Sequence, residues 1–114
     1  MKSSKAVAYA RYSSDNQREE SIEAQFTAIE EYADKKGITI IRTYKDEALS
    51  GTTDKRPGFQ QMIRDAAIGD FSLVLVHKGN RFARNRMESA LHKHALRQHG
   101  VKVIAVAEDF GQGH

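Results

Sequence analysis

A three-layer α/β domain with a largely parallel sheet is what the sequence predicts, and three observations predict it. Short runs rich in valine and isoleucine alternate with longer segments of helical periodicity. Each helical segment is bounded by residues suited to starting and stopping a helix. The 114 residues are enough for one core but too few for two. The order β-α-β-α-β-α-β favours right-handed crossovers, which place helices on the faces of a parallel sheet.

The strands are expected at Ala6–Tyr12 (AVAYARY), Ile38–Tyr44 (ITIIRTY), Ser72–His77 (SLVLVH) and Val101–Ala107 (VKVIAVA). The third is nearly all apolar, as a strand buried on both faces should be. Between the first two, Ser21 is a good N-cap for a helix running to Lys36. Its apolar face is Ile22, Phe26, Ile29 and Ala33, and Gly37 supplies the stop. A second helix begins near Pro57, turns Phe59, Met62, Ile63 and Ala66 inward, and ends at Gly69. The third spans Met87–His99, with Ala90, Leu91, Ala95 and Leu96 as its stripe, before Gly100. Residues Glu108–His114 (EDFGQGH) read as loop, and so abrupt a finish after a buried strand suggests a fragment of a longer protein.

Composition narrows the chemistry. With no cysteine, disulfides, thiolate metal sites and cysteine nucleophiles are excluded. No apolar run approaches the ~18 residues of a membrane span, and MKSSKAVAYARYSSD lacks the apolar stretch of a signal peptide, so a soluble, cytoplasmic protein is expected. The net charge of +3 permits nucleic acid as a partner without establishing it. His77, His92, His94, His99 and His114 show no convincing metal spacing. His92 and His94, two apart on a helix, read as surface polar residues.

In an open α/β sheet, ligands bind beyond the carboxyl ends of the strands. Here those ends lead into Arg11-Tyr12-Ser13-Ser14-Asp15, into Asp46–Arg56, and into Lys78–Arg86, a segment holding Asn80, Arg81 and Arg84. One edge of the sheet thus gathers hydroxyls, an amide and several guanidiniums, the donors that bind phosphate. On an extended strand Arg11 faces the same side as Ser13, and Arg81 and Arg84 share a face if their segment is helical. Taken singly, a serine after a strand is usually a turn residue or helix cap, and arginines in loops are usually solvated. There is no G-x-x-x-x-G-K-[ST], no G-x-G-x-x-G after the first strand, and no acidic cluster at its end.

Together the segments are specific. Tyr9-Ala10-Arg11-Tyr12-Ser13-Ser14-Asp15-Asn16-Gln17 resembles the active-site signature of the serine site-specific recombinases, the resolvase/invertase family. Ser21-Ile22-Glu23-Ala24-Gln25, Asp46–Gly51 with Arg56-Pro57, and Arg81-Phe82-Ala83-Arg84-Asn85 resemble three further family motifs, in the expected order. The opening segment and loop look more like the large integrase-type branch. The resemblance implies that Ser13 becomes joined to a 5′ phosphate of double-stranded DNA. It implies that Arg11, Arg81 and Arg84 bind the scissile phosphate with help from Arg56, and that Gln17, Gln25, Asp46 and Asn80 are supporting positions. It also implies no metal and no cofactor, and self-association into tetramers that exchange strands by subunit rotation.

Two departures qualify this. Gly79-Asn80 stands where the family usually has Leu-Asp. Asparagine keeps the shape but loses the charge and the proton-handling capacity, and Gly79 loosens the backbone, so reduced activity is expected. The family's long dimerisation helix and DNA-binding domains have no counterpart in residues 1–114, so the fragment is expected to be a monomer or weak dimer that binds DNA weakly. The alternative is a catalytically impaired DNA-binding or regulatory relic of the same fold.

Overall fold

The computed structural model describes residues 4–13, 21–48, 57–78 and 86–109. They form β1 (Ser4–Ser13), α1 (Ile22–Lys36), β2 (Ile38–Ala48), α2 (Pro57–Ala66), β3 (Leu73–Val76), α3 (Arg86–Gln98), β4 (Lys102–Ala105) and the single turn α4 (Val106–Asp109). The four strands make one parallel sheet in the order β2-β1-β3-β4. The expected α/β fold is therefore present.

The alternation of β1 builds the three layers. Ala6 and Ala8 join Ile29, Tyr32 and Ala33 of α1 in the core on one face. Val7 and Tyr9 join Phe59, Met62 and Ala66 of α2, with Leu96 of α3, on the other. Residues Ala6 to Ala10 are all fully buried, as the centre of a sheet covered on both faces requires.

Helix α1 is bounded as its sequence predicts. The Ser21 hydroxyl accepts from the Ala24 amide at 3.1 Å, and Gly37 adopts the left-handed conformation at φ 70° and returns its amide to Ala33 and Asp34. Its buried face also includes Gln25 and Tyr32.

A β-bulge decides which face of β2 meets which helix. Ala6 pairs with Ile40 and Val7 with Arg42, so Ile41 has no partner on β1. Side chains alternate with a period of two, and one extra residue swaps the faces. Ile38 and Ile40 accordingly pack on the α1 side. Tyr44, of the same sequence parity, packs on the α2 side. There Tyr44 donates to Asp65 of α2, and Arg42 donates to the Tyr44 hydroxyl at 3.3 Å and to Asp70 at 3.5 Å. The bond from Tyr44 holds the Asp65 carboxyl below the usual carboxylate range, while burial and that same bond push the Tyr44 phenol up.

Four expectations are corrected. Strand β2 continues to Ala48, so Asp46, Glu47 and Ala48 are strand rather than loop, held by pairing through Ser13↔Ala48. Strand β4 stops at Ala105, where its ladder with β3 ends, and Val106–Asp109 forms a helical turn rather than strand and loop. Helix α3 is rotated from the expected stripe: Leu96 is fully buried and Ala95 half-buried, while Ala90 is exposed and Leu91 is 65% exposed. His92 is not a surface residue but half-buried, its ring edge-on to Phe59 at 4.7 Å. No helix among the described residues is long and apolar enough to cross a membrane.

Candidate active site at the carboxyl end of the sheet

In the order β2-β1-β3-β4, the connection from β1 leads to one side and that from β3 to the other. The crevice between their carboxyl ends is where open parallel sheets hold ligands. Ser13 is the last residue of β1, its backbone paired with Ala48. Arg11 lies two residues earlier and is half-exposed. Among the described residues no carboxylate lies within ion-pair distance of its guanidinium.

The backbone beneath Arg11 is held by Gln25. The β1–β3 ladder stops at Tyr9↔Val76. Beyond it the fully buried amide of Gln25 substitutes for a strand: Oε1 accepts from the Arg11 amide at 3.2 Å, and Nε2 donates to the Arg11 carbonyl at 2.9 Å. A side-chain amide satisfies both groups at once because it carries a donor and an acceptor side by side. Gln25 thus clamps the strand end from α1 rather than reaching toward a ligand.

Asp46, paired in register with Arg11, faces α2 because of the bulge at Ile41. It accepts three hydrogen bonds: from the Tyr9 hydroxyl at 2.8 Å, the Gly58 amide at 2.8 Å and the Phe59 amide at 3.0 Å. Pro57 has no amide to offer, so the carboxylate satisfies the first two donors of α2 and sits on its positive end. A Cβ on Gly58 would stand 2.6 Å from the Lys45 carbonyl oxygen, so only glycine allows β2 and α2 this close. Asp46 is therefore a cap that fixes where α2 begins.

Sequence reasoning assigned no role to Tyr9 or Gly58. Tyr9 couples β1 to α2 through Asp46 and through an edge-on contact with Phe59, centroids 5.4 Å apart. Its sequence signal was the two-residue spacing from Arg11. Gly58 carried one too: a glycine in the first turn of a helix, where it costs about 1 kcal/mol against alanine, asks for a steric reason. Gln17, Arg56, Asn80, Arg81 and Arg84 lie outside the described residues, as does the side chain of Ser13. Among the described residues no cluster of His, Asp or Glu is placed to hold a metal ion.

The chain is thus an α/β domain with a parallel sheet, and Arg11 and Ser13 stand at the end of its first strand. The family model of the resolvase N-terminal domain matches residues 6–113, and the chain belongs to that family, the serine recombinase catalytic domains, a class of DNA strand-transferring enzymes. Solved structures agree. A resolvase family site-specific recombinase from Streptococcus pneumoniae is 31% identical with a TM-score of 0.81, over 91% of this chain and 72% of that one. The N-terminal catalytic domain of TP901-1 integrase is 30% identical with a TM-score of 0.77, over 91% and 78%. The C-terminal catalytic domain of ISC1926 TnpA, an IS607-like serine recombinase, is 29% identical with a TM-score of 0.76, over 90% and 67%. Among curated proteins none matches the chain significantly.

Proposed function

We propose that this domain cuts and rejoins double-stranded DNA through a covalent bond between Ser13 and a 5′ phosphate. The observation that carries the reading is the placement of Arg11 two residues before Ser13 at the end of β1, with its backbone locked by the Gln25 amide and no carboxylate paired with it among the described residues. The Ser13 hydroxyl gives up its proton as its oxygen attacks phosphorus in line, the P–O3′ bond breaks as the Ser13–phosphate bond forms, and the leaving 3′ oxygen takes up a proton, so none is gained or lost overall. Attack by a 3′ hydroxyl reverses the step and conserves the phosphodiester. Arginine forks neutralise the charge of the pentacoordinate state. Arg81 and Arg84 follow β3 by a few residues, and Arg56 is bonded to Pro57, whose helix Asp46 anchors. The chain enters the segments that bear these arginines and Ser13's neighbours from the carboxyl ends of β1, β2 and β3, which are adjacent in the sheet. Double-stranded DNA and further copies of the protein are the partners this reading requires.

The test uses DNA from the junctions flanking the protein's own gene, with reactions quenched in denaturant. A covalent protein–DNA band is expected, and Ser13→Ala should remove it entirely. A band that survives Ser13→Ala would refute the assignment. Asn80 favours a second reading, the impaired relic, and Asn80→Asp in the same assay separates the two. A band that strengthens with Asn80→Asp marks a weakened enzyme. Silence from both proteins on sites verified with another recombinase supports the relic.

A further inference from the structure

At the opposite end of the sheet from Arg11 and Ser13, three cations converge on one groove. Lys93 and Arg97 stand one helical turn apart on α3, both exposed. Gly100, at φ 77°, then folds the chain back: its amide bonds the Arg97 carbonyl at 2.9 Å and the Val101 amide bonds the Leu96 carbonyl at 2.9 Å. This turn sets exposed Lys102, the first residue of edge strand β4, beside them. The resulting groove has a volume of about 410 Å³ and a floor of Val101 and Val103.

The cluster is not explained by the fold's own needs. Arg97 in the last turn of α3 suits the negative end of the helix. Lys93 lies in the middle of the helix, and a like-charge pair at this spacing destabilises it. Among the described residues no carboxylate pairs with Lys93, Arg97 or Lys102. The opposite edge differs: the groove beside β2 is lined by Glu30 and Asp34, and its one cation, Arg42, is already engaged by Asp65 and Asp70. The groove beside β2 therefore offers a polyanion two carboxylates and an engaged cation, whereas the groove beside β4 offers three cations.

We propose that the Lys93–Arg97–Lys102 groove binds the phosphodiester backbone of DNA, as a contact separate from the residues around Ser13; it rests on the reading that the domain acts on DNA. Its placement suits one continuous duplex. Lys102 is level with Leu73, and Leu73 with Ala6, so Arg11 lies five residues further along the sheet and two strands across. At about 3.3 Å per residue and about 4.8 Å per strand this is roughly 19 Å. That equals the rise of about six base pairs.

The experiment is a titration of duplex DNA of arbitrary sequence, followed by fluorescence anisotropy across a salt series. Each phosphate contact contributes about 0.9 to the slope of log K against log salt, so K93Q/R97Q/K102Q should flatten it by about 2.7. The charge-preserving K93R/R97K/K102R should keep the slope. All three side chains are exposed, so the melting curve should move little, the loss of Lys93–Arg97 repulsion offsetting the loss of Arg97 at the helix end. A neutral variant with the affinity and slope of the unchanged protein would overturn the groove. If the Ser13-dependent adduct still formed, the catalytic reading would stand without it. Should the unchanged protein fail to bind DNA even at the lowest salt, the groove would fall, and the catalytic reading would be decided by the Ser13 adduct alone. Unaltered DNA binding with lost retention on poly-glutamate would also overturn it, assigning the groove to an acidic protein instead.

Discussion

Deleting Ile41 is expected to abolish cooperative folding, whereas Ile41→Thr should change stability by no more than about 0.5 kcal/mol. The contrast follows from what the residue does. Its side chain is 38% exposed, so its chemistry matters little, and threonine keeps the β-branch suited to a strand. Its backbone is the extra residue that turns Arg42, Tyr44 and Asp46 away from the face of Ile38 and Ile40. Without it one half of β2 must face the wrong layer. If the second half slips, Tyr44 leaves its core and Asp46 loses Tyr9 and the start of α2. If the first half slips, Ile38 and Ile40 leave α1. Either loss exceeds about 4 kcal/mol, a large share of the roughly 5–15 kcal/mol that holds a domain together. Urea unfolding followed by circular dichroism reads both variants. A deletion variant that unfolds cooperatively within about 1 kcal/mol of the parent would show that the bulge does not set the register.

That bulge also marks where the sequence stops being legible. Local signals were readable because they act within a few residues: Ser21 and Gly37 bound α1, valine and isoleucine runs mark the strands, and the segment from Tyr9 to Ser13 carries the resemblance to the family. The face swap in β2 was not. Ile38, Ile40, Arg42, Tyr44 and Asp46 share one sequence parity and read as one face, and the unpaired Ile41 is visible only against β1. The extension of β2 through Lys45, Asp46 and Glu47 hid behind charged residues, which an edge strand tolerates because one side faces water. Asp46 read as an acidic residue near the site because its donors, Tyr9, Gly58 and Phe59, are up to 37 residues away. The rotation of α3 was set by the space between Phe59 and the sheet, where His92 and Leu96 fit, rather than by its own weak stripe.

Asp46→Ala is expected to cost about 2–4 kcal/mol. Loss of a helix cap accounts for about 1 kcal/mol, and removal of the acceptor from a buried tyrosine hydroxyl for about 1–3. Asp46→Asn should fall between, since an amide keeps one acceptor but turns a donor toward an N–H. Gly58→Ala tests the same junction with opposing forces. Helix propensity alone favours alanine by about 1 kcal/mol. The new Cβ would stand 2.6 Å from the Lys45 carbonyl and 3.1 Å from the Asp46 carboxylate. The nearer contact is backbone and the carboxylate is held by three hydrogen bonds, so overpacking of about 1–3 kcal/mol should prevail and the variant should be destabilised. A stabilised Gly58→Ala would show that β2 and α2 are not held this close. Because both substitutions strike one contact, their combined cost should fall short of the sum. The consequence reaches the chemistry, since Arg56 is bonded to Pro57 and the start of α2 is what Asp46 holds. Each variant, assayed well below its melting temperature, should therefore form less Ser13–DNA adduct than the parent. Full adduct yield from a folded Asp46→Ala would confine the cap to stability alone.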